Sequence, residues 1–328
     1  MKKFIAIVLG AGAMIACTKT SVSYEPTGEI SFVSAVNKTK AVVEGTAMPD
    51  DAVLKVFGYY DQKLTELPAA GVGSNFATKY LDGVKFAKKG DVWAGSPDPY
   101  YWPKTGSILF AAYTPEDFSP ALIHDLATNK FTLTDYEQPA LKDTKDLLYS
   151  CYTVPASAGT VDMAFRHALS WVTFELGSGN ANVFKVQSIV IKNAAKKATA
   201  VLATAEGDND NRTWTVSSTA DLSVFTGDET LGTSVEIADA KKCGLVIPTS
   251  LKDVELVINY TMEYGAAKPQ AQVFSVALNT CKDAKGTLID TWKAGNHYTY
   301  RLNFGRDEIT IAPTVEQWVE NNITVTEK

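Results

Sequence analysis

Residues that usually carry chemistry are scarce in this sequence. Its 328 residues include only four cysteines and three histidines. Beyond Cys17 the thiols are Cys151, Cys243 and Cys281, widely spaced and odd in number, with no C-x-x-C pair. That spacing argues against a cysteine-rich zinc site or a thioredoxin-like site and reads as buried free thiols. His124, His167 and His297 belong to no H-E-x-x-H motif, and neither a G-x-S-x-G elbow nor a phosphate-binding G-x-x-x-x-G-K-[ST] loop occurs. Asp208-Asn209-Asp210-Asn211 looks like the opening of a calcium loop. Arg212 stands at its fifth position, however, and the glycine and distal glutamate are missing, so it reads as a surface turn. No cofactor, metal site or catalytic residue is implied. The enzymatic route left open is a carboxylate pair brought together by the fold, since the chain has 37 acidic residues.

Helical periodicity is also missing, and so is any late apolar run long enough to cross a bilayer. The one sustained apolar stretch lies at the start. Lys2 and Lys3 precede apolar residues from Phe4 to Ile15, and the small Ala16 stands directly before Cys17. This is the order of a charged region, an apolar region and a cleavage site, and the apolar part is too short for a spanning helix. Residues 1–16 are therefore expected to be a signal peptide, cut between Ala16 and Cys17. Met14-Ile15-Ala16-Cys17 resembles the lipobox of bacterial lipoproteins, which implies that Cys17 carries the lipid. Several acyl chains hold a protein at a membrane where one would not. Removing the signal takes away two lysines and no acid, leaving 29 basic against 37 acidic residues, a formal charge of −8. Such a surface does not favour nucleic acid.

What fills the rest is β-forming sequence. Short runs of Val, Ile, Tyr, Phe and Thr are separated by Gly, Pro, Asn and Asp, which predicts an all-β, sandwich-type fold. Val254 to Tyr264 alternates apolar with polar residues, as does Tyr298 to Phe304, so each is expected to bury one face. Val53 to Tyr60 and Val183 to Lys192 are apolar on both faces and read as central strands. The run from Val161 to Leu176 is apolar on both parities, which a strand with a bulge or face switch near Ser170 would explain, and His167 within it reads as a hydrogen-bonded structural residue.

Between Asp91 and Gly106, Pro97, Pro99 and Pro103 accompany Trp93, Tyr100, Tyr101 and Trp102, and the proline density predicts a long ordered loop. Those aromatics either plug one end of a sandwich or form an exposed platform for a glycan or host-surface ligand. The stretch Val154 to Gly159 reads as a linker. It divides the chain into a tether with an extra strand around Ile30–Val33 (17–40), an N-terminal domain (41–155) and a C-terminal domain (160–328).

Phe165-Arg166-His167-Ala168-Leu169-Ser170-Trp171-Val172-Thr173-Phe174-Glu175-Leu176 resembles the F-x-H-x-x-x-x-V-x-F-x-L segment of fimbrillin-like proteins, the type V pilins of Bacteroidetes. Thr39 to Thr46 followed by Val53 to Tyr60 resembles their early strands. Trp292-Lys293-Ala294-Gly295-Asn296-His297-Tyr298-Thr299-Tyr300 resembles their W-x-x-G-x-x-Y-x-Y ending. The resemblance implies two tandem transthyretin-like β-sandwich domains and a lipid-anchored outer-membrane role in fimbriae, as stalk, anchor or accessory subunit, with other fimbrial subunits as partners by strand exchange. Stalk members are matured by cleavage after an arginine, but this chain has none before Arg166. Either a lysine such as Lys38 or Lys40 serves, or the subunit keeps its lipid. At the other end Val315, Val319, Ile323 and Val325 share one parity, with Trp318 the exception, and form the expected donor strand. Cutting the chain after Pro313 is expected to leave the fold intact.

Overall fold

The computed structural model describes residues 28–36, 46–62, 78–155, 159–178, 183–203, 212–231, 235–236, 244–263, 265, 267–305 and 308–317. The architecture is all-β, as its alternating patterns predict. The first part of the chain forms β1 (Ser31–Val36), β2 (Thr46–Ala47), β3 (Val53–Asp61), β4 (Thr78–Lys89), β5 (Val92–Gly95) and β6 (Ser107–Thr114). Next come the hairpin of β7 (Ile123–Asp125) and β8 (Lys130–Glu137), then β9 (Leu148–Pro155), β10 (Thr160–Ala164), β11 (Arg166–His167) and β12 (Ser170–Gly177). Two long strands follow, β13 (Val183–Ala203) and β14 (Arg212–Thr230). The remainder is β15 (Val235–Glu236), β16 (Leu245–Val246), β17 (Thr249–Ser250), β18 (Glu255–Glu263), β19 (Gln270–Ala277), β20 (Thr291–Trp292), β21 (Asn296–Phe304) and β22 (Ile309–Gln317).

The first sheet has the order β10-β1-β5-β4-β3-β6-β9-β11, with β2 on β1. It curls around a core that includes Phe32, Leu54, Val56, Phe86, Phe110, Val161 and Met163. Two further sheets, β15-β12-β21-β22 and β19-β18-β13-β8-β7, enclose a second core that includes Phe174, Ile189, Leu256, Ile258, Trp292 and Tyr300. As the sequence predicts, β3 lies between β4 and β6, and β13 lies between neighbours on both edges. Pro313 falls in β22, which closes its sheet; a residue without an N–H is tolerated at such an edge.

Three features differ from the sequence reading. The stretch at 154–159 does not join two sheets, because β9 before it and β10 after it belong to the same one. β10 stays there because Val161, Met163 and Phe165 are apolar and buried in the first core. The change of sheet comes after His167. The expected bulged strand from Val161 to Leu176 is accordingly three strands in two sheets, β10 and β11 in the first and β12 in another.

β13 also runs well past Lys192. One of its edges pairs first with β18, over Val183–Lys192, and then with β8, over Lys197–Ala203, while β14 follows the other edge throughout. The bend falls at Asn193, whose φ of 55° is one that Asn tolerates and most residues do not. Its side-chain amide donates to the Asp253 carbonyl at 3.1 Å, and its N–H donates to Asp221 at 3.3 Å. Beyond the bend, Ala195, Ala198 and Ala200 of β13 pack in a third cluster with Tyr113 of β6, Phe131 of β8 and Tyr149 of β9. Small side chains on β13 make room there for large rings on its neighbours. All eight residues of β6 are buried, with Phe110 and Ala112 turned into the first core and Ala111 and Tyr113 into the third cluster.

Candidate functional site

The most distinctive local arrangement is the seat of the first strand. Residues 28–30 run beside the aromatic segment: Ile30 N–H donates to the Tyr100 carbonyl at 2.7 Å, and Trp102 N–H donates to the Gly28 carbonyl at 3.0 Å. Glu29 bridges Tyr101 between them. Further along, β1 pairs antiparallel with β5 at Ser31–Ala94 and Phe32–Trp93, and parallel with β10 over five residues. The Ser31 and Thr160 hydroxyls lie 3.0 Å apart at the start of that parallel ladder.

Alternation turns Ile30 and Phe32 inward, and both are fully buried. The Phe32 ring meets Phe86 at 4.9 Å and Phe110 at 5.1 Å, both edge to face, the geometry that aromatic quadrupoles favour. Trp102 closes the base of the seat, edge-on to Phe110 at 5.8 Å, with its indole N–H donating to the Gly159 carbonyl at 3.0 Å.

The segment from 91 to 106 is therefore not one long loop. It begins as β5, and its two tryptophans are buried at 2 % exposure. Trp93 donates its indole N–H to the Ala52 carbonyl at 2.9 Å and carries the Lys88 ammonium over its ring at 4.1 Å. Tyr100 is half-buried and stacks on Phe86 at 5.8 Å. Of the four aromatics only Tyr101 is exposed, at 42 %. The indoles thus build the wall of the first-strand seat and do not form an open platform. Gly106 ends the segment at φ +89°, where a Cβ would lie 2.3 Å from the Asp61 carbonyl oxygen.

At the C-terminal end, β22 pairs with β21 over nine residues, and Ile309, Ile311 and Val315 pack against the second core. Val315 therefore belongs to its own sheet and is not available as part of a free donor segment. Trp318, Val319, Ile323 and Val325 lie outside the described residues, as do Ala16, Cys17, Lys38 and Lys40.

The histidines do not converge. His124 lies within hydrogen-bonding distance of the Tyr59 hydroxyl (3.2 Å) and Asn129 (3.0 Å), and burial lowers its pKa. His167 is buried against Asp146, 3.0 Å from Nδ1, where the chain changes sheet. His297 stacks on Trp171 with ring centroids 3.6 Å apart, and burial lowers its pKa to about 4. Among the described residues no group of three His, Cys, Asp or Glu side chains could hold a metal ion. Cys281 is free and buried, and burial raises its thiol pKa. The contact of residues 28–30 with Tyr100–Trp102 was not read from the sequence. The isolated pattern of Ile30 and Phe32, two apolar residues of one parity after a polar tether, was its one available signal.

No curated protein matches the chain. Among solved structures, a fimbrial protein from Bacteroides vulgatus is 19% identical with a TM-score of 0.53, the alignment covering 81% of this chain and 93% of that one. A structure described as a candidate cell adhesion protein from Bacteroides uniformis is 17% identical with a TM-score of 0.51, covering 89% and 98%. At these identities the likeness is one of fold. The sequence match is more direct: the fimbrillin-like family aligns with residues 39–318, from the segment after β1 to the end of β22. With that span covering most of the chain, this protein belongs to the fimbrillin-like family.

Proposed function

We propose that this chain is an outer-membrane lipoprotein, held by acyl groups on Cys17, which acts in cell adhesion as a fimbrial subunit, anchor or accessory protein and joins its neighbours by strand exchange. The observation that carries the proposal is the seat of the first strand. Residues 28–36 are held between β10 on one side and β5 with Tyr100–Trp102 on the other, and they contribute two fully buried side chains to the first core. Taking such a strand away leaves an apolar slot with unpaired backbone groups on both walls, which only another strand of like pattern can fill.

Two states follow. In one, the chain is cut at Lys38 or Lys40, in the segment directly after β1, and the slot accepts a partner's strand. In the other, no cut occurs, the lipid and β1 are retained, and the subunit donates residues beyond Gln317 without accepting, so that it ends a filament at the membrane. The absence of an arginine before Arg166 favours the second.

Engineering a protease site into residues 37–45 tests the slot. After cutting, residues 28–36 should stay bound in native mass spectrometry and be displaced by a synthetic peptide of residues 318–328. They should not be displaced by the same peptide with Val319, Ile323 and Val325 replaced by Asp. In the same cells Cys17→Ala should release the protein from the membrane fraction. A first strand that no apolar peptide displaces would refute acceptance of a partner's strand in this slot, and membrane retention of Cys17→Ala would refute the lipid anchor.

A further inference from the structure

Edges are where a sheet guards itself against other chains, by charge, proline, bulges or short strands. Among the described residues, β19 pairs with β18 over eight residues without a register shift and has no strand on its other side. Its sequence, Gln270-Ala271-Gln272-Val273-Phe274-Ser275-Val276-Ala277, has no charge, no proline and no glycine. The other described edge strands of five residues or more are protected. β14 carries Arg212, Asp221, Asp228 and Glu229 and shifts register repeatedly against β13. β22 carries Pro313 and Glu316, and β10 carries Asp162.

Alternation splits β19 into two faces. Phe274 and Val276 pack against the second core, while Val273 points outward at 65 % exposure. We propose that β19 pairs antiparallel with β19 of a second copy of this chain, about a two-fold axis at Val273, joining two sheets edge to edge.

A second copy fits because the register is self-complementary. Val273 meets its own counterpart, Ala271 meets Ser275, and Gln272 meets Phe274, so no charge faces a like charge and both core-side faces stay on one side. A different partner would find no charge on this edge by which to select it. Pairing one eight-residue strand covers less than the ~1,000 Å² that a stable complex needs. The association is therefore weak and is populated where copies are crowded, as on a cell surface.

The test uses the mature chain, residues 17–328 with Cys17→Ala so that no lipid drives association. Under mild oxidation Val273→Cys should form a disulfide-linked dimer, because the two Cα atoms at the axis lie about 4.5–5.5 Å apart. Ala271→Cys should not, since its counterpart is displaced by four residues, about 14 Å along the strand. In sedimentation equilibrium Val273→Lys should weaken dimerisation by about tenfold or more, while Ile123→Lys, equally exposed on β7, should leave it unchanged. A parent chain that stays monomeric up to millimolar concentration, equal crosslinking by the two cysteine variants, or equal effects of the two lysine variants would overturn the proposal.

Discussion

If the first strand is an integral part of the first core, Phe32→Ala should be among the most damaging single substitutions in the chain. The side chain is fully buried and touches two rings edge to face. A buried aromatic removes at least about 150 Å² from water, about 4 kcal/mol at about 25 cal/mol/Å². Phe→Ala changes in cores cost about 3–5 kcal/mol, which agrees. Val33 faces the other way and is only half-buried, so Val33→Ala should cost about 1 kcal/mol or less. Urea unfolding followed by tryptophan fluorescence measures both, because Trp93 and Trp102 line the same seat. The expected result is a midpoint shift for Phe32→Ala at least three times that of Val33→Ala with an unchanged slope. A loss below about 1 kcal/mol for Phe32→Ala would mean that the strand contributes little to the folded core, and the reasoning would fail.

The ending of the chain gives a second expectation. Removing everything after Pro313 deletes Thr314–Gln317, which pair with Asn296–Thr299, and should cost about 2–4 kcal/mol in thermal or urea melts, whereas removal after Gln317 should leave the unfolding midpoint unchanged. A third concerns acid. Burial against Trp171 lowers the His297 pKa to about 4 from an ordinary 6.5, so the folded protein binds fewer protons than the unfolded one between those values. The stability this neutral ring supports is fully present above pH 6.5 and lost as pH falls towards 4, by about 2 kcal/mol once its partial exposure is allowed for. His297→Gln should flatten that part of the pH profile, and NMR titration of the ring should place its midpoint below 5.

Much of this architecture was written in local pattern. β18 and β21 could be read from Val254–Tyr264 and Tyr298–Phe304, where apolar side chains recur every second residue along the buried face, and β3 from Val53–Tyr60, which is apolar on both faces. The second half of β13 could not. From Asn193 to Thr199 its residues are mainly Ala and Lys, with little apolar contrast between faces, and their burial is decided by Phe131 and Tyr136 on a strand more than fifty residues earlier. β5 was hidden by the prolines that follow it, although Trp93 itself sits before them. The face switch near Ser170 was legible as an irregularity. That the chain there leaves one sheet for another depends on the parallel pairing of Trp171–Gly177 with His297–Asn303, a contact no local pattern encodes. Of the candidate site, the parity of Ile30 and Phe32 could be seen in advance, but the wall opposite them could not.

The long β13–β14 ribbon has a mechanical consequence. A pull entering at β1 and leaving at β22 passes through packed strands, because β6 buries one face in the first core and the other in the third cluster, and the β13–β14 pair runs from that cluster into the second core. Separating the second core from the third cluster means disrupting the β13–β14 ladder, whose paired backbone bonds extend over Lys185–Leu202 of β13 and give way together. A filament made of these units would behave as a chain of stiff rods whose compliance lies at the joints between subunits.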